Sequence, residues 1–522
     1  MTETPTRPLA LLDDAERYRT FDELQRTMPT VWESMRLGYA DESVVVVPSI
    51  STEGTTTRSG TIMAAMEERA LFLLLLLRQP QLRMIYVTSQ PVSESIVEYY
   101  LGLLPGVIPS HARARLTLVA VGDASPEPLS AKLLARPRLL REIRALIPNR
   151  RRSHLVPYNT TALERDVALS LGVPMYGSDP RFGHLGSKTG CRRMFEELGV
   201  PCPVGAEDLR SVDDIVAGIQ AMRARRPSLT EAIVKLNEGV SGQGNAVVDL
   251  RELPACGSPE EAAVIAERVL AMRLEAENLA LGVYLEAFGR HGGIVEERIT
   301  GRELTSPSVQ MRALPDGTVE LLSTHDQLLG GKSGQRYLGC VFPADSAYAA
   351  AIAESAMVIG RHLAGLGVLG RFAVDYVVVQ DDNGEWTPYA IELNLRKGGT
   401  THPFLTLQFL TDGSYGGADG MYRTPAGAPK YLVATDHLED DRLKALTVAD
   451  LFDITMNHGL HFDQSRCTGV VFHMISCLTE CGRVGLTAVG DSPQEARRVY
   501  EQAQSVLIAE ATAAREEGIL VG

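Results

Sequence analysis

The sequence predicts a doubly wound α/β domain followed by α+β domains built mostly from antiparallel strands. Short apolar runs at 43–47, 84–88 and 116–121 alternate with segments of helical character, the pattern of buried parallel strands and crossover helices. From Leu185 onward the texture changes to paired strands joined by glycine-rich turns. At 522 residues the chain exceeds what one core serves, so about three or four domains are expected.

Taken in order, helices are expected at 61–77 and 129–146, between the first strands. Gly177-Ser178-Asp179-Pro180 breaks the pattern and marks a boundary. A helix at 188–198 opens the second region. Strands at 232–236 and 246–250 flank a glycine-rich loop at 237–245, and another strand runs over 293–299. Strands at 306–313 and 319–323 and a helix at 347–366 come next, then a hairpin at 372–379 and 388–395. After Ala426-Gly427-Ala428-Pro429, strands at 470–478 and 483–489 pair. A helix then begins at Ser492-Pro493-Gln494-Glu495, with Ser492 as N-cap and a capping-box glutamate. The expected domains are 1–178, 179–295, 296–429 and 430–522.

Bulk properties exclude several classes. A net charge of −14 argues against a general nucleic-acid binder, although 136–152 holds seven arginines that suit a solvated helix face, a subunit contact or an anionic substrate. No targeting segment is apparent, and the apolar run at 70–77 is too short to cross a bilayer, so no membrane role is expected. The seven cysteines are scattered. Cys467, His473, Cys477 and Cys481 fit no standard zinc spacing, which favours free thiols in a reducing cytoplasm.

The hairpin carries the most chemistry. With Asn383-Gly384 as a two-residue type I′ loop, Asp382 pairs with Glu385 and Asp375 falls opposite Glu392. Residues two apart share a strand face, so Glu392, Asn394 and Arg396 point the same way as Asp375. Two carboxylates roughly 5 Å apart across a sheet repel unless a cation lies between them. Two acids and one amide are hard oxygen ligands that suit Mg²⁺. The alternative is an ordinary charged surface hairpin.

Other signals stay open when taken singly. The loop Gly239-Val240-Ser241-Gly242-Gln243-Gly244 lies between strands, where backbone N–H groups freed of Cβ atoms can wrap phosphate oxygens, with Gly242 and Gly244 closest to the return strand. Lys235 before it can neutralise phosphate charge, and Lys188 begins a helix. Glu296-Glu297-Arg298-Ile299 ends a strand that can present backbone groups to an adenine edge, and Glu303 can accept from a ribose. For the rest of a substrate pocket, His325 and Asp326 end one strand, Lys332 and Arg336 lie on a basic loop, and Lys397 follows the metal hairpin. Each is as readily an ordinary structural residue.

Taken in this order, the lysines, the glycine-rich loop, Glu-Glu-x-Ile…Glu and Asp…Glu-x-Asn-x-Arg resemble the ATP-grasp superfamily. Stretches such as Ser89-Gln90-Pro91, His154-Leu155-Val156-Pro157, Leu185-Gly186-Ser187-Lys188 and Thr324-His325-Asp326-Gln327 are similar to the pheganomycin-type peptide ligases. The resemblance implies an ATP-grasp fold with a pre-ATP-grasp α/β domain, the ATP-grasp subdomains and a small C-terminal α+β domain. It implies ATP phosphates on Lys188 and Lys235, adenine lined by Glu296, Glu297 and Ile299, and ribose on Glu303. It also implies one or two Mg²⁺ on Asp375, Glu392 and Asn394, and Arg396, assisted by Arg371, on the transferring phosphoryl group. The implied reaction joins a small-molecule carboxylate and an amine, an amino acid or peptide, through an acyl phosphate, in a cytoplasmic homodimer. An ATP-grasp enzyme with a thiol or protein side-chain acceptor, or a non-catalytic ATP-binding regulator, is the rival.

Overall fold

The computed structural model describes residues 9–37, 42–51, 59–238, 244–276, 279–330, 334 and 336–521. Four parallel strands, β1 (Ser43–Val47), β2 (Arg83–Thr88), β3 (Leu116–Ala120) and β4 (Ser153–Pro157), form a sheet in the order β3-β2-β1-β4. Every residue of β1 is buried, as a β-branched run covered on both faces requires. Two expected helices differ. The α-helix Gly60–Glu68 gives way to a 3₁₀ stretch over Arg69–Arg78. Its apolar residues are contiguous and almost all buried, so no single helical stripe dictates the winding. The span 129–146 divides into Leu129–Leu134 and Pro137–Leu146, because Pro137 lacks the N–H and clashes with the preceding turn.

The middle of the chain forms a second sheet from β5 (Gly205–Leu209), β6 (Glu231–Leu236), β7 (Asn245–Asp249), β8 (Arg273–Leu274) and β9 (Gly293–Glu297), in the order β5-β9-β6-β7-β8. All of its pairings are antiparallel. The helices Val212–Arg225, Glu261–Leu270 and Leu281–His291 bury their apolar side chains against it.

The large sheet holds β10 (Glu303–Thr305), β11 (Pro307–Ala313), β12 (Val319–Gly330), β13 (Arg336–Phe342), β14 (Gly370–Gln380) and β15 (Trp386–Asn394). A small pair, β16 (Ser414–Gly416) and β17 (Met421–Arg423), stands apart. The large sheet then continues through β18 (Tyr431–Glu439) and β20 (Arg483–Gly490) to β19 (Gly469–His473). Hydrogen bonding between β13 and β18 therefore crosses position 430, where a domain boundary was expected. The strand expected over 470–478 stops at His473. Met474 takes a left-handed backbone (φ 54°), and a short helix, Cys477–Cys481, follows. One apolar core joins the first and last parts of the chain, with Leu71–Leu77 packing among Phe404, Leu407, Leu410, Phe472 and Leu486.

Candidate active site

A cleft of about 910 Å³ opens between the middle sheet, the large sheet and the N-terminal domain. Its floor is the β14–β15 hairpin. Asp375 pairs with Glu392, as the sequence predicts, but by a different route. The turn is a three-residue loop: Asp381 N–H donates to the Glu385 carbonyl at 2.9 Å, and Gly384 alone takes the left-handed backbone (φ 86°), with Asn383 outside that region. That moves the pairing by one residue, giving Gln380 opposite Trp386. A bulge at Ile391 then restores it, since Tyr376 pairs with Ala390 while Asp375 pairs with Glu392. Ile391, Glu392, Asn394 and Arg396 all line the cleft with Asp375.

The electrostatics of this pair suit a cation. Burial, and then Glu392, push the Asp375 carboxyl up to about 6. Burial also works against charge on Glu392, but Lys188 overcomes it and holds that carboxyl below its ordinary value. Asn394 Nδ2 donates to Asp375 Oδ2 at 3.0 Å, and the Ser308 hydroxyl on β11 hydrogen-bonds the same carboxylate from the opposite strand. The facing carboxylate oxygens, braced by this amide and hydroxyl, are hard donors in one place, which fits Mg²⁺.

The lysines are held by acids. Lys188 is the first residue of the helix Lys188–Glu197, whose N-cap Ser187 accepts from Gly190 N–H at 3.0 Å. This start aims Lys188 Nζ at Glu392 Oε1, 2.7 Å away. Lys235, at the end of β6, meets Glu296 Oε1 at 2.5 Å, and Arg192 Nη1 reaches Glu296 Oε2 at 3.3 Å. Glu297 accepts from Val204 N–H at 2.9 Å and pairs with Arg226. Glu296, Glu297 and Ile299 all line the cleft. The Gly244 carbonyl accepts from Leu236 N–H and Tyr284 Oη, fixing the exit of the glycine-rich loop. Gly242 and Lys332 lie outside the described residues.

Several expected site residues stand elsewhere. Glu303 is exposed on β10, and the cleft wall there is Leu304, the next residue on the opposite strand face. Arg371 is half-buried near Arg312 and Tyr176. Burial, and then Arg312, lower its guanidinium to about 10. Lys397 is also half-buried; desolvation and Arg371 bring its amine down to about 7, and it donates to the Pro157 carbonyl. Asp326 accepts from Tyr348 Oη at 2.7 Å and Asp345 N–H at 3.0 Å, which anchors the start of the helix Ser346–Gly365. Arg336 lines the cleft. His325 is a core residue, fully buried with its ring 4.9 Å from Phe342 and 6.3 Å from Phe404.

Burial pushes the His325 imidazole down to about 3. Between that value and the ordinary imidazole range, the unfolded chain binds a proton that the folded chain refuses. Stability contributed by this site therefore rises with pH across that window and is lost as pH falls through it. His325→Leu is expected to flatten the decline of Tm between about pH 6.5 and 4.5; thermal melts of both proteins across that range check this, and parallel curves would contradict it.

Other cleft residues escaped the sequence reading. Ser308 and Gln310 share a face of β11 toward the hairpin, and their polar alternation within Ser308-Val309-Gln310-Met311 is a signal that was legible. Arg69, Tyr158, Asn159, Asp436 and Arg483 also line the cleft, but they come from segments hundreds of residues apart, and no local pattern reveals them.

Comparison with known proteins identifies the family. The family model described as IQCH-like, ATP-grasp matches residues 280–415, and the PGM1 C-terminal domain model matches 450–503. The chain is 31% identical over 450 residues to L-propargylglycine–L-glutamate ligase of Streptantibioticus cattleyicolor, covering 84% of this chain and 89% of that protein. It is 22% identical to IQ motif-containing protein H of Danio rerio, over 95% of this chain and 51% of the relative. Among solved structures, N5-carboxyaminoimidazole ribonucleotide synthetase from Thermus thermophilus aligns with a TM-score of 0.48 at 13% identity, covering 89% of this chain and 98% of that one. With a relative this similar over most of both lengths, the chain belongs to the ATP-grasp family and is an ATP-dependent carboxylate–amine ligase.

Proposed function

We propose that this ligase joins the carboxylate of one amino acid or peptide to the amine of another, in the cleft above the β14–β15 hairpin. The observation that carries the reading is the convergence of Asp375, Glu392, Asn394, Lys235 and Arg396 around one cavity, with Lys188 paired to Glu392 at its edge. The name of the Streptantibioticus relative points to two amino acids as the substrate class. A substrate carboxylate oxygen attacks the γ-phosphorus of ATP, the bond to the bridging oxygen breaks, and ADP leaves. The amine nitrogen then attacks the acyl carbon of the acyl phosphate. Inorganic phosphate departs with the bonding electrons, and the nitrogen loses a proton.

Asp375, Glu392 and Asn394 would hold one or two Mg²⁺, which supply charge neutralisation for the phosphates. The chain's own residues do the rest. Glu296, itself held by Arg192, keeps Lys235 at the cleft edge, where its ammonium meets phosphate oxygens. Lys188 rests on Glu392 and presents a second cation at the same place. Arg396 projects from the hairpin beside both acids and stabilises the negative charge that gathers in transfer. The Glu296–Ile299 strand end lines the adenine side. Most of the catalytic effect then comes from positioning and preorganised charge.

The test is a hydroxylamine-trapping assay. The purified chain with ATP, Mg²⁺ and hydroxylamine is supplied with single amino acids and then dipeptides. The expected result is hydroxamate formation with one or a few acids, in step with ADP release. Omitting hydroxylamine and adding amines then gives an amide product. ADP release that ignores every added carboxylate would refute the ligase reading of this cleft.

A further inference from the structure

Behind the cleft, three distant segments bring ligand atoms together in a place the ligase chemistry above does not use. His402 is the second residue of the helix Thr401–Thr411, Asp436 lies on β18, and His473 ends β19. His473 Nε2 is 2.8 Å from Asp436 Oδ1, His402 Nε2 is 3.3 Å from the same oxygen, and the two Nε2 atoms are 3.1 Å apart. All three side chains are buried, at 3–5% exposure.

Hydrogen bonding does not satisfy this triangle. If His473 donates its Nε2 proton to Asp436, the His402 Nε2 lone pair faces the same carboxylate, and its proton sits on Nδ1, which is buried without a partner. If both Nε2 atoms carry protons, two N–H groups crowd each other at 3.1 Å. A cation between the two Nε2 atoms and Oδ1 removes the clash of lone pairs, while the His402 proton stays on Nδ1 in either case. Edges of 2.8–3.3 Å also match those of a coordination polyhedron with bonds of about 2.0–2.1 Å.

The surroundings support the same reading. The Arg69 guanidinium binds Asp436 Oδ2 and is itself held by Tyr158 Oη at 2.8 Å, which turns Oδ1 toward the imidazoles. Gly485 lies opposite His473 on β20, and a Cβ there would come within 2.1 Å of Nε2, so the ring keeps its place only beside a glycine.

We propose that His402, Asp436 and His473 form a binding site for one divalent transition-metal ion of the imidazole-preferring kind, Zn²⁺ or Fe²⁺, distinct from the Mg²⁺ of the hairpin. Two imidazoles and one carboxylate select such ions over Mg²⁺ and Ca²⁺. Arg69 and Asp436 form part of the cleft wall, so the site borders substrate space. With Arg69 present the site carries excess positive charge, and an anion, a substrate carboxylate or hydroxide, balances it.

The test uses the full chain, stripped with chelator, equilibrated with Zn²⁺ or Co²⁺ and passed through gel filtration before elemental analysis. The expected result is one retained ion per chain, bound at least about 100-fold more weakly in His402→Gln and in His473→Gln. Zn²⁺ should raise the Tm of the wild type and leave both variants unmoved. If either variant fails to fold, the Co²⁺ form of the wild type decides. Visible d–d bands without sulfur-to-metal charge transfer support the site, whereas a thiolate band places the ion on cysteines such as Cys477 and Cys481 and overturns it. A wild type that retains no ion, or variants that retain as much as the wild type, equally overturns the proposal and leaves a hydrogen-bonded His–Asp–Arg cluster.

Discussion

Asp375→Asn is expected to lower turnover of ATP by at least about a thousandfold while leaving the protein folded, because it removes one of two facing carboxylates that would hold the cation. The stability prediction is sharper than the activity prediction. Burial and Glu392 raise the Asp375 carboxyl to about 6, so the folded state resists its ionisation more than the unfolded state does. An acid with a raised folded-state value loses stability as pH climbs from its ordinary range through that value. At pH 7.5 the neutral asparagine relieves this, and the Tm of Asp375→Asn should equal or exceed that of the wild type. Glu392→Gln is expected to behave differently. It also loses turnover, but it leaves the buried Lys188 ammonium without its carboxylate. Breaking a largely buried pair costs about 1–3 kcal/mol once partial exposure of Glu392 is discounted. Melts without nucleotide, beside steady-state ADP release, separate the two variants. Wild-type-like turnover in either would sink the assignment of this hairpin to the metal.

The same hairpin shows how far sequence reading reached. Alternation and an Asn-Gly dipeptide placed Asp375 opposite Glu392, and the structure has that pair. Yet the turn carries one more residue than expected, and the Ile391 bulge compensates. Apolar patterning cannot show this, because a bulge adds no residue type of its own. The parallel strands of the first domain were legible for a simpler reason: β1 is apolar throughout since both its faces are covered. His325 and Asp326 failed as site candidates because a polar residue at a strand end is equally at home under aromatic rings or capping a helix. Only tertiary contacts distinguish these uses. Arg69 and Asp436 are separated by 367 residues, and nothing local links them before the chain folds.

Arg396→Ala is expected to reduce kcat by about 100- to 1000-fold with an ATP KM within about threefold of the wild type. Arg396 lines the cleft, and its charge is felt by both Asp375 and Glu392, which in the proposed mechanism puts it where negative charge collects during phosphoryl transfer. In the proposed mechanism, ATP in the ground state already has Lys188, Lys235 and the metal acids around it. An interaction made mainly in the transition state falls on kcat, not on binding. Arg396→Lys should recover only part of the loss, since a point ammonium cannot reproduce the planar fork of a guanidinium against phosphate oxygens. Arg371 supplies the contrast. It stands four residues before Asp375 on β14, but its half-buried guanidinium lies beside Arg312, where desolvation and that like charge already lower its value to about 10. Arg371→Met should therefore keep kcat within about threefold and show its effect in Tm. If instead the Arg371 variant loses kcat while the Arg396 variant keeps it, the phosphoryl-stabilising role belongs to the other arginine at the same open end of the hairpin.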